Sequence, residues 1–232
     1  MRYGVYFSIV GLVAALSSQP ASAEISGYLV GTTDYVYRGV SYSDGHAALQ
    51  LGGDVALDSG WYFGIWASTT DIGNGPTRQR DAQVNYYAGY SRDIGTRWSL
   101  GTSIVANTFP GTTGDIDYDY EELSVSANFN DRLWLEFAWS PDIYHTGLDT
   151  YDFEVFAEWP VPGDFNLSGG LGYYDVSALS GNGYGYWQLG ISRSVGLFDL
   201  DLRFHDVNRA VPIISSPYDD GSRLAFSVRI QF

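Results

Sequence analysis

The sequence predicts an all-β fold, a single transmembrane antiparallel β-barrel of about twelve strands, and three observations carry that expectation. Apolar and polar residues alternate with a period of two in segment after segment, the pattern of a strand with one face in lipid and the other in water. Helical spacing of apolar residues over a long window is absent beyond residue 23. Short connections alternate with longer ones, as expected of a barrel with periplasmic turns and extracellular loops.

Residues 1–23 combine a charge at Arg2, an apolar stretch from Val5 to Leu16 and an Ala-Ser-Ala ending at Ala23. This is the layout of a cleavable secretory signal, and its apolar stretch is too short to span a bilayer as a helix. Residues 24–232 lack any linker or low-complexity tract and are expected to form one barrel domain.

The predicted strands then follow in order: Ile25 to Arg38, Ala47 to Asp58, Gly60 to Thr70, Ala82 to Asp93 and Arg97 to Thr108. In the next, Leu123, Val125, Ala127 and Phe129 oppose Glu122, Ser124, Ser126 and Asn128; then Leu133, Leu135, Phe137 and Trp139 oppose Glu136, Ala138 and Ser140. Phe153, Val155, Ala157 and Trp159 oppose Asp152, Glu154 and Glu158. Glycine-rich strands over Phe165 to Tyr174 and Tyr184 to Ser194 precede Phe198, Leu200, Leu202 and Phe204, which oppose Asp199, Asp201, Arg203 and His205. The last strand sets Leu224, Phe226, Val228, Ile230 and Phe232 against Arg223, Ala225, Ser227, Arg229 and Gln231. Trp61, Trp98, Trp134, Trp159 and Trp187 fall near strand ends, where interfacial aromatic girdles sit. A soluble sandwich or lipocalin-like barrel also alternates, but with its apolar face inward and fewer strands.

Composition removes several function classes. After the signal, 27 acidic residues face 11 arginines, a net charge of −16, which disfavours nucleic acid as a partner. Every basic residue other than histidine is arginine, so no lysine is present for a Schiff base or a phosphate loop. Cysteine is absent, which excludes disulfide scaffolds and thiolate metal sites.

The run Tyr35-Val36-Tyr37-Arg38-Gly39-Val40-Ser41, then Ala48-Leu49-Gln50, then Gly60-Trp61-Tyr62-Phe63-Gly64-Ile65-Trp66-Ala67-Ser68 resembles the TorF family of proteobacterial porin-like proteins. These motifs cover about a quarter of the chain, with Tyr42 standing where glutamine is usual in that family. The resemblance implies an outer-membrane location and channel character and names no ligand.

Strand parity places Asp34, Asp54, Glu122, Glu136, Asp152, Glu154, Glu158, Asp199 and Asp201 in the lumen, with Arg38, Arg203, Arg223, Arg229, Gln50 and Gln188. Inward charged rings set ion preference in pores, so this acidic excess predicts a porin-like channel for small polar solutes or ions that prefers cations. The alternative is that these charges pair across a narrow lumen and fill it, leaving a plugged, structural or adhesive barrel. Arg38 and Gln50 are expected to flank the channel mouth, or else Arg38 pairs with Asp54 or Asp34 to hold the first hairpin. Tyr62, Trp66, Tyr87, Phe156 and Tyr174 are expected to narrow the lumen from inside.

Catalysis is not expected. An outer-membrane lipid hydrolase needs serine and histidine on the outer wall, whereas His205 has inward parity and His46 and His145 lie by loops with no nucleophile context. The histidine spacing supports no metal site, no cofactor motif is present, and the acidic loop residues Asp115, Asp117, Asp119, Glu121, Asp219 and Asp220 follow no calcium-loop pattern. The expected partners are outer-membrane lipid and lipopolysaccharide, small solutes, and the barrel-assembly machinery, for which the terminal Phe232 resembles the insertion signal. Monomeric and trimeric assembly both fit the pattern.

Overall fold

Alternation of the two faces is realised along strands of eight to fourteen residues. The computed structural model describes residues 23–72, 81–111, 117–209 and 221–232. Its strands are β1 (Ala23–Thr32), β2 (Val36–Tyr37), β3 (Val40–Ser41), β4 (Ala48–Leu57), β5 (Trp61–Thr70), β6 (Asp81–Ile94), β7 (Trp98–Thr108), β8 (Tyr120–Phe129), β9 (Leu133–Ser140), β10 (Thr150–Val161), β11 (Phe165–Asp175), β12 (Tyr184–Val195), β13 (Phe198–Val207) and β14 (Arg223–Gln231). All but β2 and β3 form one closed antiparallel barrel of twelve strands in sequence order. The expected secretory signal, apart from Ala23, lies outside the described residues, as do Asp115, Asp219 and Asp220.

Closure runs through β1 and β14, with Leu29 opposite Ile230 and Val30 opposite Arg229. Beyond that register, Gly27 and Phe232 exchange two backbone hydrogen bonds of 2.8 Å, so the terminal aromatic residue helps seal the seam. A closed sheet leaves no unpaired edge, the condition hydrocarbon imposes on any β structure.

The two faces are inverted relative to a water-soluble barrel. Leu51, Ile65, Phe153, Leu189 and Leu224 are exposed, while Gln50, Asp54, Gln83, Asn85, Glu122 and Arg203 are buried. Gln83 Nε2 donates to Asn85 Oδ1 at 3.0 Å and to Asn107 Oδ1 at 3.4 Å, so these inner amides satisfy one another. An apolar exterior around a hydrogen-bonded polar interior excludes the soluble sandwich. Among the described residues no helix is long and apolar enough to cross a membrane.

Exposed Trp61, Trp98 and Trp159 lie at the end carrying the short turns, and Trp187 toward the other end. Trp134 departs from the expectation. It shares the parity of inward Glu136 on β9, and its ring lies 5.6 Å from that of inward Phe156, so it fills the lumen rather than joining the girdle.

The first strand also differs: β1 ends at Thr32, not Arg38. Thr32 Oγ1 donates to the carbonyl of Asp34 at 2.8 Å, and residues 33–47 turn into the barrel carrying the two-stranded hairpin β2–β3. Arg38 (φ 49°) and Gly39 (φ 78°) form its tip in left-handed conformation. A Cβ on Gly39 would lie 2.5 Å from Val207 Cγ1 and 2.8 Å from Tyr186 Cβ, so only glycine lets the tip sit this close to the wall of β12 and β13.

Candidate functional site

The inward hairpin is built from short-range polar contacts and then locked by aromatic packing. Tyr35 N donates to Ser43 Oγ at 2.8 Å and Tyr42 N to the Tyr35 carbonyl at 2.7 Å. Ser43 Oγ also donates to Asp34 Oδ1 at 3.0 Å, while Arg223 Nη1 on β14 holds Asp34 Oδ2 at 3.1 Å. Around this base Tyr35 packs edge-on against Trp66 at 5.4 Å and Tyr42 against Tyr37 at 5.5 Å. Tyr120 and Tyr144 continue the cluster at 5.5 Å, with Ile143 buried among them. Tyr144 sits in the connection after β9, and burial holds its phenol well above the ordinary range, so it remains neutral at any working pH.

Arg38 at the hairpin tip is buried inside the lumen rather than on a strand. Its Nη2 lies 2.9 Å from Glu122 Oε2 on β8, and its Nε lies 3.2 Å from Asp152 Oδ2 on β10. Its guanidinium carbon lies over the rings of Tyr37 and Tyr174, 4.8 and 4.5 Å from their centroids. Two carboxylates on its nitrogens and two ring faces against its carbon use both kinds of interaction this group makes. The expected pairings with Asp34 and Asp54 are therefore corrected: Asp34 is held by Arg223, and Asp54 accepts a hydrogen bond from the Tyr87 hydroxyl. Parity could not reveal this, because it says nothing about a loop that folds back inside.

The other lumen residues take the predicted face. Gln50 is buried on β4, and inward Tyr62, Trp66, Tyr87, Phe156 and Tyr174 line the interior. Five carboxylates, Glu122, Glu136, Asp152, Glu154 and Glu158, share the inner wall of β8, β9 and β10, with Glu136 and Glu154 directly opposite each other. The arginines lie on other strands: Arg203 on β13, Arg223 and Arg229 on β14. Arg203 grips Asp201 through Nε (3.2 Å) and Nη2 (2.9 Å) and donates to Gln188 Oε1 at 3.1 Å. Gln188 Nε2 donates in turn to Glu154 Oε1 at 2.9 Å, linking the arginine wall to the acidic one. Arg229 lies over the ring of Tyr28 at 4.4 Å, and Asp199 accepts from Ser194 Oγ at 2.5 Å.

Beside this packed half lies space. A cavity of about 90 Å³, open to solvent, follows the inner wall of β12, β13, β14 and β1. It runs from Asp34 and Tyr35 of the hairpin, past His205, Arg203 and Ser227, down to Ser194. The hairpin thus touches the acidic wall through Arg38 and β12 and β13 through Gly39, and the space left beside it follows the arginine-bearing wall.

His205 is buried and inward, and His145 is an exposed residue 3.6 Å from Asp117. His46 has acidic neighbours that its spacing in sequence did not reveal. Folding brings Asp44, His46 and Asp71 together with ligand atoms within 4.8 Å of one another, across two loops that are far apart in sequence.

The architecture recurs in solved outer-membrane proteins. The NanC porin superposes with a TM-score of 0.56 at 10% identity, covering 89% of this chain and 98% of that one. The KdgM porin in complex with disordered oligogalacturonate gives 0.51 at 12% identity, covering 91% and 98%. An outer membrane channel from Pseudomonas putida F1 gives 0.50 at 11% identity, covering 92% and 96%. These likenesses fix the barrel as the fold of outer-membrane porins. No curated protein matches the chain in sequence. Residues 17–216 match the sequence profile of a described family, and the chain accordingly belongs to the bacterial protein family of unknown function Gcw_chp.

Proposed function

We propose that this protein is an outer-membrane channel of the porin type, passing small polar solutes or ions by diffusion along an off-axis path and preferring cations. The observation that carries it is the cavity of about 90 Å³, lined by polar and apolar surface alike, inside a closed barrel and beside an inward first loop that narrows the lumen without filling it. The porin neighbours and the TorF-like segments at 35–41 and 60–68 support the same reading. The cation preference rests on the lumen as a whole, nine carboxylates against four arginines, since the cavity wall itself balances Asp34, Asp199 and Asp201 with Arg193, Arg203 and Arg229. Export through the signal at 1–23, insertion by the barrel-assembly machinery through Phe232 and an annulus of lipid and lipopolysaccharide belong to this proposal.

Single-channel recording of refolded protein in a planar bilayer with a salt gradient tests it. Stable conductance with a cation-selective reversal potential is expected. A reversal potential favouring chloride sinks the cation preference, and silence from a folded barrel sinks the channel. The aromatic packing of the hairpin is what favours the second reading, a plugged barrel.

A further inference from the structure

The four carboxylates Glu122, Glu136, Asp152 and Glu154 sit together on one inner wall, and the hairpin delivers a single guanidinium to them. Cross-strand neighbours such as Glu136 and Glu154 bring their Cβ atoms to roughly 5 Å, and like charges so placed repel. The Oε2 oxygen of Glu136 is fully buried and accepts no hydrogen bond. Arg38 reaches Glu122 and Asp152, and Gln188 and Tyr186 donate to Glu154, which leaves that Glu136 oxygen as the acceptor without a partner among these four carboxylates.

The seat already occupied shows which cation the wall suits. Arg38 is bound as a ligand is: a carboxylate on Nη2 at 2.9 Å, another on Nε at 3.2 Å, and the Tyr174 ring face at 4.5 Å. It arrives on the tip of a loop, in a left-handed backbone that a non-glycine residue adopts at a cost. A side chain carried on a loop can leave, and the seat stays behind on β8, β10 and β11.

We infer that the acidic wall of β8 to β10 is a binding site for the guanidinium or protonated amine of an organic cation, and that Arg38 occupies its outer seat as an internal stand-in. The inference deepens the channel reading by naming a substrate class, and it rests on that reading for the solute's arrival. A solute cation competes with Arg38 for Glu122 and Asp152, so binding and release of the hairpin are one equilibrium, and removing the internal competitor raises apparent affinity.

Agmatine is the probe and citrulline, whose urea group is neutral, its control. Titrated calorimetrically into the full-length barrel in detergent micelles, agmatine is expected to bind and citrulline not to. Arg38→Ala is expected to tighten agmatine about tenfold, and Glu122→Gln or Asp152→Asn in that background to weaken it by at least as much. In bilayers, agmatine should block the current of Arg38→Ala. Should Arg38→Ala fail to fold, wild-type protein still decides: agmatine must accelerate tryptic cleavage after Arg38 and citrulline must not. Equal effects of the two probes, or none from agmatine, overturn the proposal. Agmatine binding in micelles with a silent bilayer keeps the seat and removes the channel, whereas conductance without agmatine binding does the reverse.

Discussion

Gly39→Ala is a direct probe of the inward hairpin. The residue has φ 78°, and an alanine there costs about 1–2 kcal/mol for the left-handed backbone. The added Cβ also meets Val207 Cγ1 at 2.5 Å and Tyr186 Cβ at 2.8 Å, an overpacking of the kind that costs about 1–3 kcal/mol. Taking only about 2 kcal/mol of the total, the ratio of seated to released hairpin falls about thirtyfold. Trypsin reads this ratio, because the chain has no lysine and Arg38 is buried when the hairpin is seated. When reclosing outpaces cleavage, the nicking rate follows the open population. Cleavage after Arg38, followed by mass spectrometry on the refolded barrel, should therefore rise about thirtyfold. Gly95→Ala is the control: its φ is 70°, but nothing lies within 4 Å of its added Cβ and it sits in a turn between β6 and β7. An unchanged rate in Gly39→Ala, or an equal rise in Gly95→Ala, would refute the packing argument.

Three further outcomes are expected. Arg203→Met strands the Asp201 carboxylate and the Gln188 and Ser168 acceptors, costing about 3 kcal/mol as a lower urea midpoint, with partial recovery in Arg203→Met/Asp201→Asn. Tyr87→Phe removes the hydroxyl donated to Asp54 and should cost about 1–2 kcal/mol in the same unfolding assay; no change means that the bond adds nothing net. Leu189→Arg puts a charge on the exposed lipid face and should cost about 2–4 kcal/mol if it lies near the bilayer midplane, whereas Ser227→Arg, in the cavity, should leave stability alone and lower conductance.

The strands were legible in the sequence because each segment from Ala48 onward repeats the same two-sided chemistry, and the lipid-facing parity of Phe153, Val155 and Leu202 appears in the fold as exposed side chains. The hairpin was not. A plug inside a polar lumen carries the same mixture of tyrosine, serine and arginine as the wall it touches, so alternation runs past Thr32 without a break. Trp134 misled for a related reason: an aromatic residue near a strand end serves an interface or a lumen equally well, and only its parity with Glu136 separates the two. The acidic residues of β8 to β10 were placed on the correct face, but their gathering around Arg38 depends on which strands become neighbours of the loop tip. Hydropathy does not encode that.

The lopsided placement of charge has a consequence for anything that enters. Carboxylates crowd β8 to β10 with Arg38 alone among them, while on the inner face of β13 and β14 Arg203, Arg223 and Arg229 outnumber Asp199 and Asp201. Such a wall is a standing dipole perpendicular to the pore axis, and a zwitterion in its field is turned before it is translated. Its amine end swings to one side and its carboxylate to the other, so the bore it needs is set by its length rather than its girth. In the proposed channel, discrimination then becomes a matter of orientation, with compact dipolar solutes admitted and long ones held crosswise.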